Sequence, residues 1–317
     1  MKSMTVKTIS IIVACYNESG NLERMHQRVA AVFEKLSYEY ELIFVDNAST
    51  DHSCEIYQKL VNANKQVKVI LMSRNFGNSQ PSFFAGLCNA TGDAVVLLDG
   101  DLQDPPELIT QFIECWEAGN PVVYGVRIKR SENIVRRIGY WGFYKIFKWL
   151  SYLDIPLQAG DFGLLDRKVV DIIKALPEKD LYLRGLRAWA GFKQVGVPYT
   201  RQERAEGKTS NSFFANFYWA KKAIVNFSTK PLEYISRVAV GAVAFTIVMM
   251  MVYLYLAFNG DSPRGFLTLF MVLCIFSTLQ LLTLSILAEY LLRIFQEVKA
   301  RPPYVIDKIL SQTDEEK

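Results

Sequence analysis

The chain has 317 residues, enough for one large domain or two smaller ones, and half of it is hydrophobic, with a mean hydropathy of +0.11 that is high for a soluble protein. Its five cysteines (Cys15, Cys54, Cys88, Cys115, Cys274) show no paired spacing, which argues against a disulfide framework or a zinc site and suits a reducing compartment. The net charge of +4 is uneven: residues 1–120 hold 9 basic and 15 acidic side chains, residues 121–230 hold 20 and 9, and residues 231–317 hold 7 and 8. A basic middle third suits nucleic acid, an anionic membrane surface or a phosphorylated substrate.

The apolar run Ile9–Cys15 is too short for a signal peptide and leads into polar residues, so it predicts a buried strand. A helix follows over Leu22–Leu36, then a strand over Glu41–Asp46. Ser49 or Thr50 offers an N-cap for a helix reaching about Val61. Val67–Met72 predicts the third strand and Ser79–Ala90 a helix. Ala94–Leu98 predicts the fourth strand, and Pro105 and Pro106 open a helix to about Trp116. His26 and His52 fall on these helices and read as surface residues, which disfavours histidine triads and histidine–metal sites. Continuous apolar strands separated by helices predict a parallel α/β sheet covered on both faces. Ligands of such sheets bind beyond the carboxyl ends of the strands. Polar clusters fall at those ends: "YNE" after the first, "DNAST" after the second and "DGD" after the fourth. No G-x-G-x-x-G follows the first strand and no P-loop pattern occurs, which disfavours dinucleotide oxidoreductases and P-loop enzymes.

The stretch "AVVLLDGDLQDPPE" (94–107) crowds Asp99, Asp101 and Asp104 at the end of a core strand, with Gln103 among them. Their repulsion favours a cation, and oxygen ligands at this spacing suit Mg2+ or Mn2+. An EF-hand loop is rejected, because its sixth position needs glycine and here holds Asp104. Two readings stay open on these residues alone: a solvated structural turn, and the D-x-D of a sugar-nucleotide transferase.

Two later segments, 133–153 and 211–228, mix aromatic residues with Lys and Arg and suit helices lying in a membrane interface; ordinary core-facing helices are the alternative. Residues 238–258 carry no charge and are long enough, at about 1.5 Å per residue, to cross a bilayer core. After "NGDSPRG", residues 266–292 can cross back. These readings predict a domain over 1–230, two spans over 231–295 (about 234–258 and 266–292) and a tail over 296–317. Basic residues flank the outer ends of the pair, and the connecting loop has only Arg264. The positive-inside rule then puts the N-terminal domain and both termini in the cytoplasm, at a plasma (inner) membrane. The tail "RPPYVIDKIL" is left open between a return strand and a helix.

Taken together, "YNE" (16–18), "VDNASTD" (45–51), "DGDLQDPPE" (99–107), "YGVR" (124–127), "GDFGLLDR" (160–167) and "RQERAEGKTS" (201–210), followed by two spans, resemble the polyprenyl-phosphate glycosyltransferases of glycosyltransferase family 2. The bactoprenol (undecaprenyl-phosphate) glucosyltransferase branch is the most similar, and the resemblance covers nearly the whole chain. It implies a GT-A fold, Rossmann-like, with Mg2+ or Mn2+ as cofactor. It also implies a UDP-sugar donor, a polyprenyl phosphate acceptor in a membrane, no nucleic acid partner, and inversion at the anomeric carbon. Carried over, Tyr16, Asn17, Glu18, Asp46 and Asp99 line the nucleotide site, with Asp46 accepting from a uracil N–H. Asp99, Asp101 and Gln103 hold the metal. Ala14-Cys15 and Asn47 depart from the family pattern, which usually has proline before the tyrosine and a second acid after Asp46, and this weakens the inference of base specificity.

A metal at Asp101 and Gln103 would stabilise the charge developing on the departing diphosphate. Arg201, Arg204 and Lys208 are candidates to close over that diphosphate from a loop freed by Gly207; a solvated basic loop is the plainer alternative. The acceptor phosphate already carries an ionised oxygen at neutral pH, so no strong base is needed. Arg127, Arg136 and Arg137 are placed to hold it. Asp161 sits where related enzymes carry a catalytic acid and is assigned to positioning of sugar or acceptor, with base catalysis as the secondary role. Three rivals remain: a sister transferase using another nucleotide sugar (mannose, aminoarabinose or GlcNAc type), a processive synthase whose Q-x-x-R-W is poorly matched by "RGLRAWAG", and a non-catalytic sugar-nucleotide binding protein. The oligomeric state is left open, with room for a homo-oligomer.

Overall fold

The computed structural model describes residues 6–127, 159–201, 228–259 and 265–312. The chain divides into two compact units, one of Met1–Trp141, Leu153–Ser210 and Ala300–Lys317, the other of Gly142–Tyr152 and Asn211–Lys299.

The first unit is built on an eight-stranded sheet in the order β7-β5-β6-β4-β1-β2-β3-β8. Its central strands are β1 (Thr8–Cys15), β2 (Glu39–Asp46), β3 (Val67–Met72) and β4 (Ala94–Asp99). β1 pairs in parallel with β2 and β4, and β2 with β3. Their sequences are apolar without alternation because both faces are covered. Ile9, Ile11, Ile12 and Val13 of β1 are all fully buried. Helices α1 (Ser19–Phe33), α2 (Ser53–Ala63) and α3 (Ser79–Asn89) interleave with these strands.

Past β4 the sheet becomes mixed, which the expectation of a parallel sheet did not include. A 3-10 turn (Pro106–Leu108) leads into α4 (Ile109–Glu117), and β5 (Val122–Arg127) follows. β6 (Ala159–Asp166) inserts between β4 and β5, antiparallel to both. Helices α5 (Arg167–Ala175) and α6 (Leu183–Trp189) precede β7 (Gln194–Tyr199), which runs parallel to β5. Phe162 of β6 packs on Phe112 of α4 at 4.8 Å between ring centroids and meets Tyr199 of β7 edge-on at 5.5 Å. This aromatic chain fixes the end of β7 against the core.

The C-terminal segment forms a return strand, β8 (Ile306–Leu310), antiparallel to β3. The Ser73 N–H donates to the Val305 carbonyl at 3.0 Å, and Gln312 donates to the Asn62 carbonyl at 2.7 Å. Tyr304 meets Phe84 edge-on at 6.1 Å. The tail is therefore part of the first unit's sheet.

Two local expectations change. The N-cap of α2 is His52, not Ser49 or Thr50. The Ser49 hydroxyl donates to Asp46 instead, and Asp51 accepts the Ser53 N–H at 3.1 Å. His26 is half-buried on α1 and its burial lowers its pKa, while His52 is exposed as expected.

The second unit contains α7 (Lys230–Phe258) and α8 (Phe266–Lys299). Lys230–Val252 and Met271–Lys299 are long and apolar enough to cross a membrane, and neither window is buried within the protein. α8 continues through the charged turns from Arg293 to Lys299, past the apolar run that ends near residue 292. The Tyr290 hydroxyl donates to the Ser228 carbonyl at 2.7 Å and ties α8 to the residues just before α7. Apart from Ser228, the segments 133–153 and 211–228 lie outside the described residues.

Gly163 of β6 lies so close to β5 that an added Cβ would stand 2.4 Å from the Val123 carbonyl oxygen and 3.0 Å from the Tyr124 Cα. Backbone cannot yield there without breaking the β5–β6 ladder. Gly163→Ala is expected to cost about 1–3 kcal/mol of stability, read as a lowered thermal midpoint of the purified protein in detergent.

Candidate active site

The carboxyl ends of β1, β2 and β4 lie side by side. The register sets Cys15 against Asp46 and Ala14 against Asp99, so these acids flank the end of β1. Three non-glycine residues take positive φ at these ends: Asn17 (55°), Ala48 (58°) and Leu102 (55°). Such strain persists where the surroundings over-determine it, and here it clusters where α/β sheets bind ligands.

Hydrogen bonds zip the first two loops together. The Asn17 N–H donates to Ser49 Oγ at 2.8 Å, and its side-chain oxygen accepts the Thr50 N–H at 2.7 Å. Glu18 accepts from Asn21 at 2.5 Å. Tyr16 is 45% exposed, an uncovered ring at the mouth of this site. Asp46 is buried and accepts from Ser49 N–H (2.8 Å), Ser49 Oγ (2.5 Å) and the Tyr57 hydroxyl (3.2 Å). A carboxylate has about four acceptor positions, so one remains at Oδ2 for a further donor. Asn47 has a role that an aspartate could not fill. Its oxygen accepts the Phe76 N–H at 2.9 Å while its NH2 donates to the Asn75 oxygen at 3.2 Å.

The turn after β4 carries the densest charge. Asp104 is fully buried and accepts from the Tyr199 hydroxyl. Arg127 lies 3.6 Å from its Oδ2 and donates to the Tyr199 oxygen at 3.2 Å. Arg201 lies 3.3 Å from Asp104 Oδ1 and 3.8 Å from Asp101 Oδ2. Strand register explains this convergence. Arg127 pairs with Tyr199 across β5 and β7, and Arg201 follows two residues later, just past the end of β7. The Gly160 Cα leaves room for the Arg127 guanidinium, which a Cβ would meet at 3.0 Å. Burial opposes charge on Arg127, but Asp104 and Tyr199 outweigh it and raise its pKa.

A second buried pair sits on β6. Arg184 of α6 grips Asp161 with two bonds, 3.0 Å and 2.9 Å. Gln80 donates to Asp161 at 3.0 Å and accepts the Leu183 N–H at 2.8 Å. Burial alone would raise the Asp161 pKa, but Arg184, with Arg187 and Gln80, holds it below the usual carboxylate range. Arg187 is buried against the Tyr124 ring at 4.8 Å, and burial lowers its pKa to about 10. It remains a cation at neutral pH.

The pattern described as Glycosyl transferase family 2 matches residues 10–173, more than half of the chain. The chain belongs to glycosyltransferase family 2. This glycosyltransferase is 40% identical over 301 residues to the Bacillus subtilis (strain 168) protein named uncharacterized glycosyltransferase YkcC, covering 94% of this chain and 93% of that one. It is 36% identical to the prophage bactoprenol glucosyl transferase homolog of Escherichia coli (strain K12), covering 95% and 99%. It is 35% identical to the bactoprenol glucosyl transferase of Shigella phage SfII, covering 95% and 97%. Among solved structures it is similar to glucosyl-3-phosphoglycerate synthase from Mycobacterium tuberculosis, with a TM-score of 0.50, 18% identity, and 69% and 79% of the two chains covered. That likeness bears on the fold, which is GT-A.

In this glycosyltransferase, Tyr16, Asn17, Glu18, Asp46, Asp99, Asp101, Gln103, Arg127, Asp161 and Arg201 all belong to the first unit. Arg136, Arg137, Arg204 and Lys208 lie outside the described residues. Sequence reading assigned no role to Asp104, Tyr199, Gln80, Arg184 or Arg187. The signal for Arg184 and Arg187 was the "RGLRAW" stretch, dismissed as a poor synthase match. Among the described residues no three His, Cys, Asp or Glu side chains converge as a metal cage. The donor set still fits Mg2+ or Mn2+ chemically, since such ions commonly bind through one or two carboxylates and complete their shell with water and substrate phosphates. Asp104 Oδ2 is buried without a hydrogen-bond partner, which marks a turn with surplus negative charge.

Burial pushes the Asp99 pKa up to about 7, helped by Asp104, Asp161 and Asp101 and opposed by Arg201. A carboxyl whose folded pKa exceeds its ordinary 3.8 weakens the fold as pH climbs through that interval, and the full loss is present above 7. Asp99→Asn is therefore expected to melt higher than the native protein at pH 8 without added dication. The two melting points should converge as the pH falls toward 4, as thermal scans across pH would reveal.

Proposed function

We propose that this family 2 glycosyltransferase moves glucose from UDP-glucose to undecaprenyl phosphate or a similar polyprenyl phosphate, with inversion at the anomeric carbon. The observation that carries this reading is the pairing of Asp101 and Asp104 with Arg127 and Arg201. It occurs at the ligand end of a GT-A sheet in a chain that also holds two exposed apolar helices. Relatives named bactoprenol glucosyl transferase support the acceptor class and the sugar. The nucleotide and the stereochemistry rest on the motif resemblance.

In this reading Tyr16, Asn17, Glu18, Asp46 and Asp99 hold the uridine, with the free acceptor position of Asp46 facing the base. Asp101 and Gln103 would hold Mg2+ or Mn2+, with Asp99 beside them, and the ion would supply positive charge to the departing diphosphate. Arg201, followed by Arg204 and Lys208, adds cations on the same leaving group. Arg127, with Arg136 and Arg137, holds the lipid phosphate. An oxygen of that phosphate forms the new bond to the anomeric carbon as the bond to UDP breaks, and the electron pair leaves with UDP. The attacking oxygen is already ionised, so no side chain must take its proton. Asp161, gripped by Arg184 and Gln80, is a fixed anion whose use is to orient sugar or acceptor. Its lowered pKa makes it a weak base.

The membrane placement has its own support. Chain connectivity ties both ends of the helical pair to the first unit, because β8 adds to the same sheet as β1. A pair of crossings then returns the chain to the side it left. The basic flanks favour the cytoplasm for that side.

Purified protein given undecaprenyl phosphate, labelled UDP-glucose and Mg2+ or Mn2+ is expected to yield a labelled lipid. Faster turnover of UDP-GlcNAc or GDP-mannose would reassign the sugar. Asp101→Asn should lower the rate at least about 100-fold while the protein stays folded; undiminished turnover in that variant or in excess chelator would remove the metal from the reading. Arg127→Ala should raise the KM for the lipid about tenfold and leave that for the donor little changed. The reverse pattern would move Arg127 to the donor side.

A further inference from the structure

Asp104 is a single fully buried carboxylate with two guanidinia beside it. Arg127 is held from two sides, by Asp104 and by a hydrogen bond to Tyr199 at 3.2 Å. Arg201 is held differently. It reaches Asp104 at 3.3 Å and Asp101 at 3.8 Å, yet its Nε makes no hydrogen bond. These are ion-pair distances without hydrogen-bond geometry, so Arg201 neutralises the turn by charge and not by a fixed fork. Its side chain keeps 29% exposure, which leaves it a path out.

Arg201 therefore stands against Asp101, the carboxylate that the proposed reaction uses for a dication. A guanidinium and a dication on one aspartate repel each other, so each weakens the other's hold. We infer that Arg201 is the resident counter-cation of the acidic turn, positioned there by Asp104, and that a dication enters by displacing it from Asp101. The displaced side chain carries its positive charge to the same place and time at which a diphosphate arrives. Asp104 then keeps Arg127 in position while Arg201 changes partner. The exchange links metal binding to readiness of the donor site, with no separate lid required.

This inference rests on the metal-dependent reading proposed above, and the test separates the two. Mn2+ alone, without nucleotide or lipid, is titrated into the full-length protein in detergent, and free Mn2+ is counted by electron paramagnetic resonance. Removing the competing cation in Arg201→Gln should tighten Mn2+ binding about fivefold. Arg201→Lys keeps the charge and should stay within about twofold of the native protein. Thermal scans of each variant report that it is folded. If Arg201→Gln binds Mn2+ with unchanged or weaker affinity, the displacement is overturned while the metal reading stands. If none of the three proteins binds Mn2+, both fall.

Discussion

Carboxylates gathered at the end of a buried strand must be neutralised, and most of the candidate site follows from how this protein does it. Asp99, Asp101 and Asp104 close β4, and Asp161 comes in from β6. Each buried acid without a partner would cost several kcal/mol or take up a proton. Arginines answer them: Arg127 and Arg201 beside Asp104, Arg184 on Asp161. These arginines come from the end of β5, the residues after β7, and α6, none of which is near β4 in sequence. The sheet order brings them together, because β6 and β5 follow β4 outward and β7 follows β5.

Asp161 and Asp104 are neutralised in different styles. Asp161 is clamped by a two-bond fork and an amide, the geometry that gives arginine its rigidity toward carboxylates. Such an anion is a fixed point. Asp104 shares loosely held charges with a neighbouring acid. A loosely paired guanidinium is freer to move than one held in a fork. The contrast lies within one sheet.

Much of this was legible in the sequence. The apolar runs of β1 to β4 have no alternation, so a parallel core could be read from them, and the polar clusters marked the correct strand ends. The acids of "DGDLQD" announced themselves by crowding. What stayed hidden depends on distance along the chain. Gln80 meets Asp161 from 81 residues away and Tyr199 meets Asp104 from 95, and no local pattern encodes such meetings. No strand was assigned over "AGDFGLLD", and nothing in it reveals that it runs antiparallel between β4 and β5. Asn47 read as a lost acid, whereas its amide bonds in both directions to the 75–76 loop. The α2 cap was misplaced because Asp46 claims Ser49 first.

The last strand of the sheet also sets a timetable. β8 is residues 306–310 of a 317-residue chain, and it is made only after both apolar helices. Until then the outer edge of β3 has no neighbour, and an open strand edge is a template for pairing with other chains. During synthesis, the enzyme's sheet is completed only once α7 and α8 have both been made. The edge of β3 stays open throughout that interval, and the strand that closes the sheet arrives last of its eight.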